Sequence, residues 1–136
     1  PAYQKYAADV IVNAKALAAA LEAEGMRAVS GGTQTHLALM DIRSTGVTGK
    51  VADERCGAAG IVMNKNSIPY DPEKPGITSG IRVGSPATTT QGMGVEEMKT
   101  IATLISRAIK TDDAATHGAI KTEVHALTAR FPIYQA

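Results

Sequence analysis

Apolar residues recur at helical spacing from the start of the chain. Tyr6, Val10, Ala14, Leu17 and Leu21 fall on one face of an alanine-rich segment, which predicts a helix that ends at Gly25, a residue suited to terminating one. The period then shortens. Residues 27–30 and 36–42 read as two strands joined through the turn Gly31-Gly32, an antiparallel pair. Thr48 can cap a short helix over 49–58, and Gly60 ends it before a third short strand, Ile61-Val62-Met63. Pro69, Pro72 and Pro75 keep residues 64–79 mostly irregular, and a loop that long in a compact domain is often functional. A strand over 80–83 and the polar turn Thr88-Thr89-Thr90-Gln91-Gly92 follow. Two helices close the chain, one lined by Met98, Ile101, Ala102, Ile105 and Ile109, the other by Ile120, Val124, Leu127 and Phe131. Glu96 and Glu97 suit the positive N-terminal end of the former, and Asp112 or Asp113 that of the latter. The order α-β-β-α-β-β-α-α predicts an α/β fold of the α+β type, a small, mostly antiparallel sheet with helices packed on one face.

Composition narrows the partners more than the fold. At 136 residues, 44% of them hydrophobic, the chain suits one domain with a real core. The net charge of +1, from 14 basic and 13 acidic residues spread along the chain, offers no basic stripe for nucleic acid. No apolar run approaches membrane-spanning length and no leader opens the chain, so a cytoplasmic protein without a membrane partner is expected. Cys56 is the single cysteine, which excludes an internal disulfide and favours a reducing compartment. The chain opens on helical pattern at Pro1 without an initiator Met, and on that ground a fragment is expected.

The sharpest chemical signal is Arg82. In Thr78-Ser79-Gly80-Ile81-Arg82-Val83-Gly84-Ser85-Pro86-Ala87 one permanent charge sits in a strand otherwise made of apolar residues and glycines. Strand alternation separates Arg82 from Ile81 and Val83, while Gly80 and Gly84 let a ligand or another backbone approach. A guanidinium fork matches a carboxylate or phosphate, and burying it unpaired would be prohibitive. Spacing alone leaves two partners open: an anionic ligand, or an acidic neighbour such as Asp41 or Asp71.

Other polar residues support plainer readings. His36 follows a turn and suits a backbone hydrogen bond, while His117 and His125 stand eight apart with no third ligand in view, so no metal site is expected. Cys56, among alanines and glycines, reads as a buried small hydrophobe. Tyr70 and Tyr134 are too isolated to form a base-stacking platform. Asn66, taken alone, reads as a turn former closing the third strand.

Four blocks in order, Ser30-Gly31-Gly32-Thr33 with His36-Leu37, Gly60-Ile61-Val62-Met63-Asn64-Lys65-Asn66-Ser67-Ile68-Pro69, Thr78-Ser79-Gly80-Ile81-Arg82-Val83-Gly84 and Phe131-Pro132-Ile133-Tyr134, span nearly the whole chain. Through them it resembles the C-terminal domain of serine hydroxymethyltransferase, a pyridoxal-phosphate enzyme of the aspartate-aminotransferase fold type (fold type I). The resemblance implies that residues 1–136 form one such domain, with the large cofactor-binding domain missing from the N-terminal side. It also implies the reaction: serine and tetrahydrofolate give glycine and methylene-tetrahydrofolate, with pyridoxal phosphate as the electron sink. By the same resemblance Arg82 clamps the substrate carboxylate, Asn66 contacts the folate, and the partners are the chain's own N-terminal domain and further copies in a homodimer or homotetramer.

The resemblance also says what this chain lacks. The family's Schiff-base lysine follows a threonine-rich run and a histidine, whereas Thr88-Thr89-Thr90 leads here into Gln91-Gly92. No catalytic or cofactor-binding residue is therefore assigned, and the isolated chain is expected to be inactive. Lys65, between Asn64 and Asn66, reads as a solvated or cross-domain lysine. Gln34 replaces a usually acidic residue, Gln91 a usual arginine, and Gly76 a usual apolar loop residue. These departures leave open a paralogue such as a threonine transaldolase or an alpha-methylserine hydroxymethyltransferase. A non-catalytic small-molecule-binding or interaction module is the alternative outside the enzyme class.

Overall fold

A computed structural model describes residues 2–29 and 35–131. Helix α1 (Ala2–Ala23) buries Val10, Ala14, Leu17, Ala18 and Leu21, and it ends where predicted. Gly25 adopts φ +99°, its N–H bonds to the Glu22 carbonyl, and the Met26 N–H reaches back to Leu21, a left-handed stop that suits glycine. Strand β1 (Arg27–Ala28) pairs antiparallel with β2 (Leu37–Asp41). Helix α2 (Gly49–Ala58) is capped by Thr48, whose hydroxyl accepts the Val51 N–H. Strands β3 (Asn64–Asn66) and β4 (Gly80–Gly84) complete a sheet of order β1-β2-β4-β3, with every pairing antiparallel.

Helices α3 (Pro86–Thr90), α4 (Val95–Ile109) and α5 (Ala114–Ala129) follow. Glu97 accepts the Gly94 N–H ahead of α4, and Asp113 accepts the Thr116 N–H to start α5. The core lies between one sheet face, bearing Ala28, Ala38, Met40, Ile81 and Val83, and the apolar faces of the helices, including Leu21, Ala52, Met98, Ile105 and Ile120. The α+β-type architecture with helices on one face is the one the residue pattern predicts.

Three local readings differ. The third strand lies at Asn64–Asn66, three residues beyond the apolar run Ile61-Val62-Met63. That run ends α2 instead: Gly60 takes φ +78°, the Ile61 N–H bonds to the Cys56 carbonyl, and Val62 is 98% exposed. The expected turn at 88–92 is mostly helix α3, because Pro86 occupies the first helical positions and the Thr89 N–H finds the Ser85 carbonyl. Strand β1 is shorter than its predicted span, and Ser30 lies outside the described residues.

The N-terminus of α2 docks directly on the approach to β4. Its first N–H groups, on Gly49 and Lys50, bond to the carbonyls of Thr78 and Ile77 at 3.0 and 2.9 Å. A Cβ at Gly49 would collide with the Thr78 hydroxyl and stand 2.5 Å from the Gly80 carbonyl oxygen, whereas one at Gly57 would meet nothing within 4 Å. Gly49→Ala should therefore destabilise the chain by about 1–3 kcal/mol through overpacking, while Gly57→Ala in the same helix should stabilise it by up to about 1 kcal/mol. Urea unfolding midpoints of the two variants check this, and equal midpoints would show that the close contact does not constrain the fold.

Candidate functional site

Strand parity decides which side chains share a face. Because Ile81 and Val83 are buried toward the helices, Arg82 projects from the opposite, uncovered face and is exposed. It is thus solvated in this chain, not buried as a wholly apolar strand would suggest. The register sets Leu39 and Asn64 beside Arg82, and Asp41 and Asn66 on either side of Gly80. Cross-strand partners point to the same face, so Arg82 and Asn66 meet there as diagonal neighbours on adjacent strands, about 7–8 Å apart. Asn66 is half-buried and donates its amide N–H to the Ser67 carbonyl at 2.9 Å. Gly80 keeps the space between the strands closed to side chains: a Cβ there would lie 2.7 Å from the Asn66 carbonyl oxygen and 2.7 Å from Ile68 Cγ2.

Neither acidic candidate pairs with Arg82. The Asp41 carboxylate, 4% exposed, is gripped by the Arg43 guanidinium at 2.7 Å and by Arg27 at 3.0 Å. The Arg43 side-chain bonds, opposed by burial and aided by the Arg43 N–H and by Arg27, lower its carboxyl pKa to about 2. Asp71 faces its own loop, accepting hydrogen bonds from Ser79 Oγ and from the N–H groups of Ile68, Glu73 and Ser79. Desolvation pushes its carboxyl up, but the combined pull of those bonds wins and its pKa also lies at about 2. Among the described residues no carboxylate forms an ion pair with Arg82.

A cavity of about 580 Å³ adjoins the site, with apolar walls that include Met63, Met98, Leu104 and Leu127, and Arg82, Asn64 and Gln91 also line it. Lys65 pairs in register with Ile81, so it stands on the face opposite Arg82 and cannot share a ligand with it. The side chain of Gln91 donates to the Phe131 carbonyl at 3.3 Å. A Cβ at Gly76 would meet nothing within 4 Å. Gln34 lies outside the described residues, as do Ser30-Gly31-Gly32-Thr33 and Pro132-Ile133-Tyr134.

The chain matches the family model described as Serine hydroxymethyltransferase over residues 1–105. It is 50% identical over 135 residues to the serine hydroxymethyltransferase of Verminephrobacter eiseniae, covering 98% of this chain and 33% of that protein. It is also 49% identical over 141 residues to the enzyme of that name from Methylorubrum extorquens and 47% identical over 136 residues to that of Paracidovorax citrulli, covering 32% and 33% of those proteins and 98% and 99% of this chain. The chain belongs to the serine hydroxymethyltransferase family. It spans about a third of the length of the curated relatives it matches.

The serine hydroxymethyltransferase family is pyridoxal-phosphate- and tetrahydrofolate-dependent. In this chain Lys65 faces away from Arg82, and α3 carries threonines with no lysine. His117 and His36 make structural hydrogen bonds. His117, 5% exposed, has Nε2 at 3.1 and 2.8 Å from the carbonyls of Ala108 and Thr111. A carbonyl only accepts, so Nε2 carries the proton and donates to both, closing the end of α4. His36 is exposed, and its carbonyl accepts the Ser85 N–H. Burial, reinforced by the Asp53 charge, pushes the Cys56 thiol up to about 12, which keeps it protonated and inert. Among the described residues no three of His, Cys, Asp and Glu gather as metal ligands, and no helix is long and apolar enough to cross a membrane.

Residue pattern singled out Arg82 but missed Asp71 as a hub and the Arg27–Asp41–Arg43 cluster. The available signal was Asp71 between Pro69 and Pro72, a short acceptor in a segment whose N–H groups have no ladder to join.

The two aspartates make the fold acid-sensitive. Each pKa falls from 3.8 to about 2 on folding, so each contributes stability that is complete above the unfolded value and lost as pH falls through the folded one. Urea midpoints should be level above about pH 5 and fall between about pH 4 and pH 2. Asp41→Asn should lose about 1–2 kcal/mol at neutral pH, a figure discounted because both arginine partners are exposed, and should show a shallower acid limb. An unchanged acid limb in Asp41→Asn would reject this account.

Proposed function

We propose that this chain is the C-terminal domain, residues 1–136, of a pyridoxal-phosphate-dependent serine hydroxymethyltransferase that interconverts serine and glycine with tetrahydrofolate as one-carbon carrier. The observation that carries the reading is the state of Arg82. It stands on the uncovered sheet face with no carboxylate partner among the described residues, while Asp41 and Asp71 are satisfied elsewhere. A planar fork so placed suits the carboxylate of an amino acid. Holding that carboxylate also fixes which bond at the substrate Cα can break, so the clamp serves reaction specificity as well as affinity. Asn66, on the same face, offers a donor and an acceptor to the folate.

In this reading the cofactor is held by residues N-terminal to this chain, no catalytic residue lies within it, and the chain alone is silent. The full-length enzyme is cytoplasmic and works as a homodimer or homotetramer, without a nucleic-acid or membrane partner.

Arg82→Lys in the full-length enzyme keeps the charge and loses the fork. Losing one charge-assisted hydrogen bond of that fork costs about 1.5–3 kcal/mol, which corresponds to a roughly 10-fold to 150-fold loss in kcat/KM for serine. Near-normal kinetics for serine and glycine would reject the clamp.

Asn66→Ala separates this reading from that of an aldehyde-exchanging paralogue. One net hydrogen bond is worth about 0.5–1.5 kcal/mol, so folate affinity should weaken roughly two- to twelve-fold while folate-independent aldol cleavage and glycine binding persist. Wild-type enzyme that binds no folate and exchanges aldehydes directly between amino acids would replace the hydroxymethyltransferase reading with the transaldolase one.

A further inference from the structure

Asn66 ends β3 and Arg82 lies in β4, and between the two strands runs the loop of residues 67–79. Fixing so long a segment is entropically costly, and its three prolines remove the N–H groups that a backbone ladder would use. One carboxylate does much of the fixing. Asp71 Oδ2 accepts the N–H of Ile68 at 3.1 Å and that of Ser79 at 2.8 Å. Its Oδ1 accepts the N–H of Glu73 at 2.8 Å and the hydroxyl of Ser79 at 2.7 Å. Ile68 is the second residue after Asn66, and Ser79 the third before Arg82, so a single side chain ties together the two ends of the loop beside the two site residues.

The β3–β4 pairing sets Asn66 opposite Gly80, and the remaining backbone restraints act on one end only. The Ser79 carbonyl accepts the Ile42 N–H at 3.0 Å, and Thr78 receives Gly49 at 3.0 Å, which secures the β4 end against β2 and α2. β3 is an edge strand of three residues that pairs with β4 alone, its last pair being Asn66 with Gly80. Tyr70 and Thr78 both take positive φ, +55° and +61°, conformations that non-glycine residues keep only when their surroundings hold them there. Tyr70 immediately precedes Asp71, and Thr78 immediately precedes Ser79.

We propose that Asp71 is the positioning residue of the site: by holding the backbone at residues 68 and 79 on one carboxylate, it locks the short β3–β4 register that spaces Asn66 from Arg82 and so lets one active site engage folate and the amino-acid carboxylate together. The inference rests on the functional reading above. Asp71 touches neither ligand and acts through the loop.

The test uses the full-length enzyme. Asp71→Asn replaces one accepting oxygen with an amide that faces N–H or O–H donors, and small displacements of positioned groups are costly to rate. The KM for serine and the Kd for folate should rise together, by about tenfold to a hundredfold. Ser79→Ala keeps three of the four bonds and should show a smaller rise of the same kind, which covers the case in which Asp71→Asn folds poorly. A general loss of stability would add to the Arg82 defect, whereas a positioning role cannot. The double variant Asp71→Asn/Arg82→Lys should therefore match Arg82→Lys alone in kcat/KM to within about twofold. Unchanged KM and Kd in Asp71→Asn and Ser79→Ala, or losses that multiply in the double variant, overturn the positioning role and leave the clamp standing. Wild-type kinetics in Arg82→Lys overturn the clamp, and the positioning role falls with it.

Discussion

A β-strand with one face packed against helices cannot bury alternate residues without presenting the intervening ones on its other face. Strand β4 obeys that constraint at the centre of the sheet: Ile81 and Val83 enter the core at 0% and 6% exposure, and Arg82 between them is forced outward. The antiparallel register then chooses its company, with Leu39 on one side and Asn64 on the other, and Asn66 one diagonal away. A slip of one residue would turn Arg82 into the core and expose Ile81 and Val83. The same burial that stabilises the fold therefore turns the guanidinium toward the uncovered face.

Charge pairing on this face works by exclusion. Asp41 could have neutralised a cation on the sheet, but Arg27 and Arg43 occupy it from flanking positions. Asp71 could have done the same from the loop, and instead turns inward to bond Ser79 and three backbone N–H groups. Each carboxylate is better satisfied by its local partners than by a strand residue at a distance, which is the physical reason that Arg82 retains its bonding capacity. In the proposed enzyme that capacity meets the substrate.

Much of the fold was legible from the residues because local and tertiary demands agree there. Alanine-rich periodicity with Gly25 behind it marked α1, Thr48 marked the start of α2, and Asp112 or Asp113 that of α5, where the structure makes Asp113 the cap. Strand β3 was not legible. Asn64-Lys65-Asn66 has no strand propensity, and it pairs because Gly80 and its neighbours offer an open edge, while the more strand-like Ile61-Val62-Met63 is drawn into ending α2. For the site, Arg82 was readable because a lone charge among apolar residues has few explanations. Asp71 was not, because its importance depends on N–H groups up to eight residues away, which only the folded loop brings together.

The position of Lys65 shows why sequence proximity misleads at such a site. It adjoins Asn66, and a lysine beside a candidate binding residue would be an inviting assignment as a nucleophile. Register places it opposite Ile81, on the helix side of the sheet, where its Cβ approaches the backbone of Gly49 at the start of α2. Neighbours in a strand are separated by the thickness of the sheet, whereas Asn66 and Arg82, sixteen positions apart in the chain, share one face. Register, more than proximity in the chain, therefore decides which side chains can act on one ligand.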